Sequence, residues 1–260
     1  MKRVTGEYLV KQFNKNANAY DKIRSKITYP QALYRYLAER APATSAALDI
    51  GCGNGVSSIR LKDYFSYVEG CDLGEALIER ARVNYPELSF TVSPAETFSP
   101  GRAFDLITSA TSFYWMDRKA VLANLKSWLR PEGLFCAYRY DVPIIYGPLR
   151  DYIEKELVTH WAAHRDPRLI QYDDTLELMR DCPHLQDARR EAFANILFLS
   201  AEEVALFFLS TSYVSRFIEL EGGETYRNNF VEKVMSIGGS EPIAVNFDIH
   251  AFSATYLPAN

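Results

Sequence analysis

Cysteine is sparse: four residues, Cys52, Cys71, Cys136 and Cys182, with no Cys-x-x-Cys pair among them. Such spacing offers no disulfide framework and no zinc-ligand cluster, so no metal is expected; it suits reduced thiols and a cytoplasmic location. Long apolar runs are missing. None approaches the roughly 18–20 residues that span a bilayer. The stretch from Met1 to Lys22 has basic residues but no apolar segment of the kind a secretory leader carries. No membrane partner is expected. Charge of one sign is also lacking: a formal net charge of −4 gives no electrostatic footprint for nucleic acid. There is no Gly-x-x-x-x-Gly-Lys-Ser/Thr loop, which argues against a nucleotide triphosphatase. We find no internal repeat and no low-complexity linker.

What the chain does have is an alternation of element types. At 260 residues and 48% hydrophobic it can bury a substantial core. Its 17 Tyr and 15 Phe fit an aromatic-lined cavity and a large core equally well. Residues 5–38 read as helical with a break near Pro30. Short apolar runs at 46–50, 67–72, 89–92, 104–109 and 133–140 read as strands, with helices at 56–64, 75–84 and 118–128 between them. That rhythm implies βαβ units, a parallel sheet and helices on both faces. After residue 140 it changes. Residues 147–181 look helical, 188–199 reads as a strand, and 201–218 and 224–236 as helices. Residues 243–256 alternate apolar and polar side chains, as one antiparallel strand would.

The most informative stretch is Leu48-Asp49-Ile50-Gly51-Cys52-Gly53-Asn54-Gly55, which follows a strand and opens a helix. Glycines permit a tight turn and let a ligand press against backbone, and the N–H groups at a helix start attract a carboxylate or phosphate. Asp72 ends the next strand, where an acid reaches the two hydroxyls of a ribose. Together they describe a pocket for an adenosine-type ligand. Nicotinamide or flavin binding is the nearest rival, but its Gly-x-Gly-x-x-Gly fingerprint wants glycine where Val56 stands.

Asp49-Ile-Gly51-Cys-Gly53-Asn-Gly55 resembles the first motif of class I S-adenosylmethionine-dependent methyltransferases. Further segments match in order: Val68 to Leu73 with the helix 76–82, Pro94-Ala95-Glu96-Thr97-Phe98, Phe104 to Ser109, and Leu125 to Leu134. Within that class the chain is most similar to small-molecule enzymes of the trans-aconitate methyltransferase type, through Phe13, Tyr20-Asp21, Arg24 and Tyr29-Pro30 near the start and Ser210-Thr-Ser-Tyr213 late in the chain. Tyr114-Trp115 stands where that group usually carries His-Trp.

The resemblance implies a Rossmann-like, doubly wound, seven-stranded and mostly parallel sheet with a helical lid, one late strand running antiparallel. It implies one methyltransferase domain over 1–260, comprising an N-terminal helical lid (1–40), a cofactor core (46–140), an acceptor-lid insertion (142–182) and a C-terminal sheet half (186–260). The cofactor would be S-adenosylmethionine, leaving as S-adenosylhomocysteine. Gly51, Gly53 and Gly55 would shape the loop around its methionine half, and Asp49 would orient the amino group directly or through the loop. Asp72 would bind the ribose, Leu73 pack on the adenine, and Ala95 and Glu96 border the adenine amino group. Ser109 and Ala110 would lie beneath the sulfonium, and Phe13, Tyr20 and Arg24 would fold over as a lid. Ordinary structural roles compete with several of these: a turn cap for Asp49, a helix-start acid for Glu96, helix packing for Tyr20, a solvated charge for Arg24.

Candidates for positioning the acceptor are Tyr114, Trp115, Arg139 and His160. The aromatics are as readily core residues. Arg139, like Arg216, suits bidentate carboxylate recognition or a surface salt bridge. His160 and His164 lie four apart on an expected helix, without a third ligand for a metal, and His184 and His250 have no suggestive neighbours. The expected activity is methyl transfer to a small molecule, a carboxylic acid in the first instance. A carrier-protein thioester as acceptor, and a non-catalytic S-adenosylmethionine-binding protein, stand as alternatives. No basic arm or Asn-Pro-Pro-Tyr motif points to a macromolecular substrate.

Overall fold

The computed structural model describes residue 23, residues 25–170 and residues 173–258. These residues divide into two compact units.

The larger unit comprises residues 28–140, 173–193 and 249–258. Its helices and strands follow in order: α1 (Gln31–Arg40), β1 (Ala46–Ile50), α2 (Val56–Leu61), β2 (Tyr67–Asp72), α3 (Glu75–Asn84), β3 (Ser89–Val92), β4 (Phe104–Ala110), α4 (Arg118–Trp128) and β5 (Leu129–Tyr140). Helix α1 starts directly after Pro30, whose fixed φ suits the residue before a helix. Helix α4 is capped by Asp117, whose carboxylate accepts the N–H of Ala120 at 3.1 Å. All five residues of β1 are buried, as befits a strand covered on both faces.

The other unit holds residue 23 and residues 25–27, 141–170 and 194–248. It contains β6 (Ile144–Ile145), α5 (Arg150–Glu156) and α6 (Pro167–Ile170). The chain then returns to the larger unit for α7 (Thr175–Arg180) and β7 (Leu185–Phe193). Back in the second unit come β8 (Ile196–Leu199), α8 (Ala201–Leu209), α9 (Ser212–Phe217), α10 (Gly223–Gly238) and β9 (Ile243–Asn246). Strand β10 (Ile249–Tyr256) closes the larger unit.

The larger unit's sheet has seven strands in the order β3-β2-β1-β4-β5-β10-β7. Strands β1 to β5 pair in parallel; β10 runs antiparallel to both β5 and β7, so it alone is reversed. This is the expected seven-stranded, mostly parallel architecture. Strand order reverses beside β1, whose neighbours are β2 and β4, and in open α/β sheets ligands bind outside the carboxyl ends of strands at such a point. The second unit has a three-stranded antiparallel sheet, β6-β9-β8.

Three expected elements are divided. The strand expected over 243–256 becomes β9 and β10, in different sheets. The side-chain carbonyl of Asn246 accepts the Asp248 N–H at 3.1 Å and turns the chain there. The strand expected over 188–199 becomes β7 and β8, parted at Asn195, whose carbonyl accepts the Phe247 N–H at 2.8 Å. The helix expected over 201–218 breaks after Leu209: the Ser210 and Thr211 hydroxyls bond back to the carbonyls of Phe207 (2.7 Å) and Phe208 (2.6 Å), and Thr211 is extended. The helical stretch expected over 142–182 is shared, α5 and α6 in one unit and α7 in the other. Among the described residues no helix is long and apolar enough to cross a membrane.

Candidate cofactor and acceptor site

The glycine loop is fastened to the end of β2: the N–H groups of Gly51 (2.7 Å) and Cys52 (3.1 Å) both donate to the Cys71 carbonyl. Gly51, Gly53 and Gly55 have φ of +66°, +56° and +84°, and Gly55 stands at the N-cap of α2. At Gly51 a Cβ would lie 2.5 Å from the Ser112 hydroxyl oxygen, so both conformation and space demand glycine. At Gly53 a Cβ would meet nothing within 4 Å. Only conformation requires glycine there, and its bare backbone faces open room.

Asp72 joins this loop to the next. Its Oδ2 accepts the Gly53 N–H at 3.0 Å and its Oδ1 the Gly74 N–H at 2.8 Å. Burial raises the carboxyl's pKa, while the backbone N–H groups oppose that shift. Leu73 beside it leaves 48% of its surface exposed. Asp49 is different. It is wholly buried, and its two oxygens accept the Ser58 hydroxyl of α2 (2.7 Å) and the Thr108 hydroxyl of β4 (2.8 Å). Burial pushes its carboxyl up to about 6 against the two hydroxyl bonds. Its contacts fasten the helix behind the loop to the sheet.

Ala95 is buried in the core. Glu96 holds the start of α4: its Oε1 accepts the Asp117 N–H and its carbonyl the Asn124 amide, both at 2.8 Å. Ser109 is fully buried with its Oγ 3.1 Å from that of Ser112. Ser112 was not singled out in the sequence. Its Oγ lies 3.0–3.3 Å from the carbonyls of Ala110, Gly51 and Ile50, binding the end of β4 to the glycine loop. The preceding Thr111 has φ +51°, an outlier for a β-branched residue, and its N–H donates to the Tyr138 carbonyl at 2.7 Å. Backbone strain of this sort gathers at functional sites.

Beside these strand ends lies a concavity of roughly 260 Å³ of empty space, open mouth included, lined by Ser112, Tyr114, Tyr138, Arg139 and Asp173 among others. Tyr114 and Trp115 share a short 3-10 turn, ring centroids 5.1 Å apart. The Arg139 guanidinium lies 5.6 Å from the Tyr114 ring centre, and its Nε pairs with Asp173 Oδ2 at 3.3 Å. Two of the four acceptor candidates, Tyr114 and Arg139, therefore line one pocket, with Trp115 against the first. Asp173 and Tyr138 were missed in the sequence; nothing in their local pattern marks them, since the sheet brings them there.

His160 belongs to the other unit, where its ring packs on Phe217 (5.1 Å) and Tyr226 (5.5 Å). His164 approaches Glu221 at 3.2 Å. In the larger unit His184 meets the Leu122 carbonyl at 2.8 Å and His250 lies beside Arg190. Phe13, Tyr20 and Arg24, the expected lid residues, lie outside the described residues. Among the described residues no three His, Cys, Asp or Glu side chains form a metal-binding group.

Residues 47–133 match a family model described as a methyltransferase domain. Trans-aconitate 2-methyltransferase of Methylobacterium radiotolerans is 33% identical over 131 residues, 48% of this chain and 49% of that one. The chain thus spans about half the length of that relative. A malonyl-[acyl-carrier protein] O-methyltransferase of Ilyobacter polytropus is 27% identical over 201 residues, 74% of this chain and 70% of that one. A solved structure from Anaeromyxobacter dehalogenans, described as a type II methyltransferase, superposes with a TM-score of 0.71 at 25% identity, covering 89% of this chain and 98% of its own.

Proposed function

We infer that this chain, whose residues 47–133 match a family model described as a methyltransferase domain, transfers a methyl group from S-adenosylmethionine to a carboxylate oxygen of a small organic acid. The observation that carries the cofactor half is the bare, left-handed Gly53, whose N–H is held by the same carboxylate, Asp72, that ends β2. A ligand can lie against that backbone without displacing any side chain.

In this reading Gly51, Gly53 and Gly55 form the cradle. Asp72 accepts hydrogen bonds from the ribose hydroxyls, each oxygen having lone pairs beyond the one spent on backbone. Leu73 covers the adenine, with Ala95 and Glu96 at its border and Ser109 and Ala110 beneath the reacting end. Asp49 acts through the scaffold, by holding α2. When bound, the cofactor supplies an electrophilic methyl group on a positively charged sulfur. The chain's own residues then have to align an acceptor and exclude water. A carboxylate acceptor is already ionised at neutral pH and needs no strong base. Arg139 would hold one carboxylate of the acid, and Tyr114 and Trp115 would wall the pocket. The relative's name, trans-aconitate 2-methyltransferase, supports a small polycarboxylate.

The longer match to a malonyl-[acyl-carrier protein] O-methyltransferase favours a second reading, a free carboxyl on a carrier-bound acyl group. Both are tested by incubating the protein with S-adenosylmethionine and a panel of small di- and tricarboxylic acids, with malonylated carrier protein in a parallel arm. Methyl ester and S-adenosylhomocysteine are read by mass spectrometry. A methyl ester of a free acid is the expected result. Ester on the carrier arm alone moves the function to the second reading, and calorimetric binding of cofactor without product in either arm leaves a binding protein.

A further inference from the structure

We propose that Asp173 is a built-in competitor for Arg139, and that the acceptor must therefore be a polycarboxylate able to displace it. The inference rests on the carboxylic-acid reading above. Among the described residues that line the pocket, Asp173 and Arg139 are the two charged ones, and their side chains are 19% and 15% exposed. With them paired, the described part of the lining carries no net charge. A guanidinium left alone in such a site would draw any carboxylate; opposed by Asp173, it yields only to an acid that gains more than one contact.

The pair is built to give way. Its Nε···Oδ2 separation is 3.3 Å, whereas a well-seated charge-assisted hydrogen bond measures about 2.7–2.9 Å. The adjacent Asp174 pairs with Arg118 at 2.6 Å and its carbonyl accepts the Leu178 N–H, so the start of α7 is anchored without Asp173 touching Arg139. The other oxygen of Asp173 accepts the Thr175 N–H at 3.0 Å, a local bond that rotation of the carboxylate away from Arg139 need not break. Arg139 also stays over the Tyr114 ring, which holds its plane when the partner changes.

The test is calorimetric titration of the full chain, saturated with S-adenosylhomocysteine, with citrate as a polycarboxylate probe and propionate as a monocarboxylate. Wild type should bind citrate and not propionate. Asp173→Asn should bind citrate about tenfold more tightly and propionate measurably. Adding Arg139→Gln to that variant should erase both gains. Affinity for S-adenosylhomocysteine and the thermal transition serve as controls for folding. If Asp173→Asn binds citrate no better than wild type while Arg139→Gln alone weakens it, Asp173 merely orients the arginine; the proposal falls and the acid reading stands. If citrate binding is the same in wild type, Asp173→Asn and Arg139→Gln, the acid reading fails at this pocket and takes the proposal with it.

Discussion

Asp49 is buried on two hydroxyl hydrogen bonds, and that has a measurable signature. In the fold its carboxyl keeps a proton up to about pH 6, against an ordinary value of 3.8. Between those limits the folded chain binds more protons than the unfolded one, so stability falls as pH rises through the window. At about 1.4 kcal/mol per pH unit the loss is roughly 3 kcal/mol. Asp49→Asn should flatten that part of a urea-midpoint profile taken from pH 4 to 7, and a slope of unchanged size would show that another group titrates. The glycines separate folding from binding. Gly53→Ala meets no atom within 4 Å, so it should cost only the left-handed penalty of about 1 kcal/mol while weakening S-adenosylhomocysteine binding severalfold. Gly51→Ala, driven into Ser112, should lower the melting temperature much further. Calorimetry alongside thermal melts of both variants checks the contrast. The loop and Asp72 were legible because their chemistry is local: spacing and residue type alone put them at a strand end. Asp173 and Ser112 were not, because their meaning lies in neighbours 34 and 61 positions away along the chain.

Among the elements, α8 carries its own start signal. Ser200 accepts the Glu203 N–H at 3.2 Å and Glu203 returns the bond to the Ser200 N–H at 3.0 Å. Ser200→Ala should destabilise the unit that holds α8 by about 1 kcal/mol. Amide hydrogen exchange should show the change first in residues 201–204, and uniform protection there would contradict it. The strands β1 to β5 were readable because a buried parallel strand is a short apolar run between glycines and helices. The later breaks were hidden. Alternation continues through Asn246 and into Ile249, and the Asn246–Asp248 turn, closed by a side-chain hydrogen bond invisible to periodicity, sends the two halves to different sheets.

At the scale of the whole molecule, ligand and fold are linked. A ligand that binds only the folded state stabilises it by about 2.7 kcal/mol at a hundredfold excess over its Kd. For a chain of this size that raises a melting transition by roughly 5–10 °C. S-adenosylhomocysteine should produce such a shift in wild type and little in Asp72→Ala; equal shifts in differential scanning fluorimetry would remove Asp72 from the site. Sheet class was legible at this scale because alternation of strand and helix dictates it. The division into units was not, since each is assembled from segments far apart in the chain.

The seating of β10 between β5 and β7 bears on the order of events during synthesis. A ribosome delivers β7 before the strand that joins it to the sheet exists. Until residues 249–256 emerge, β5 presents an open, apolar edge and β7 has no partner in its sheet. Unpaired edges are where chains join one another. The nascent protein therefore passes through a stage in which its glycine loop can already be formed while its sheet remains adhesive, and chaperone dependence should be concentrated in that interval.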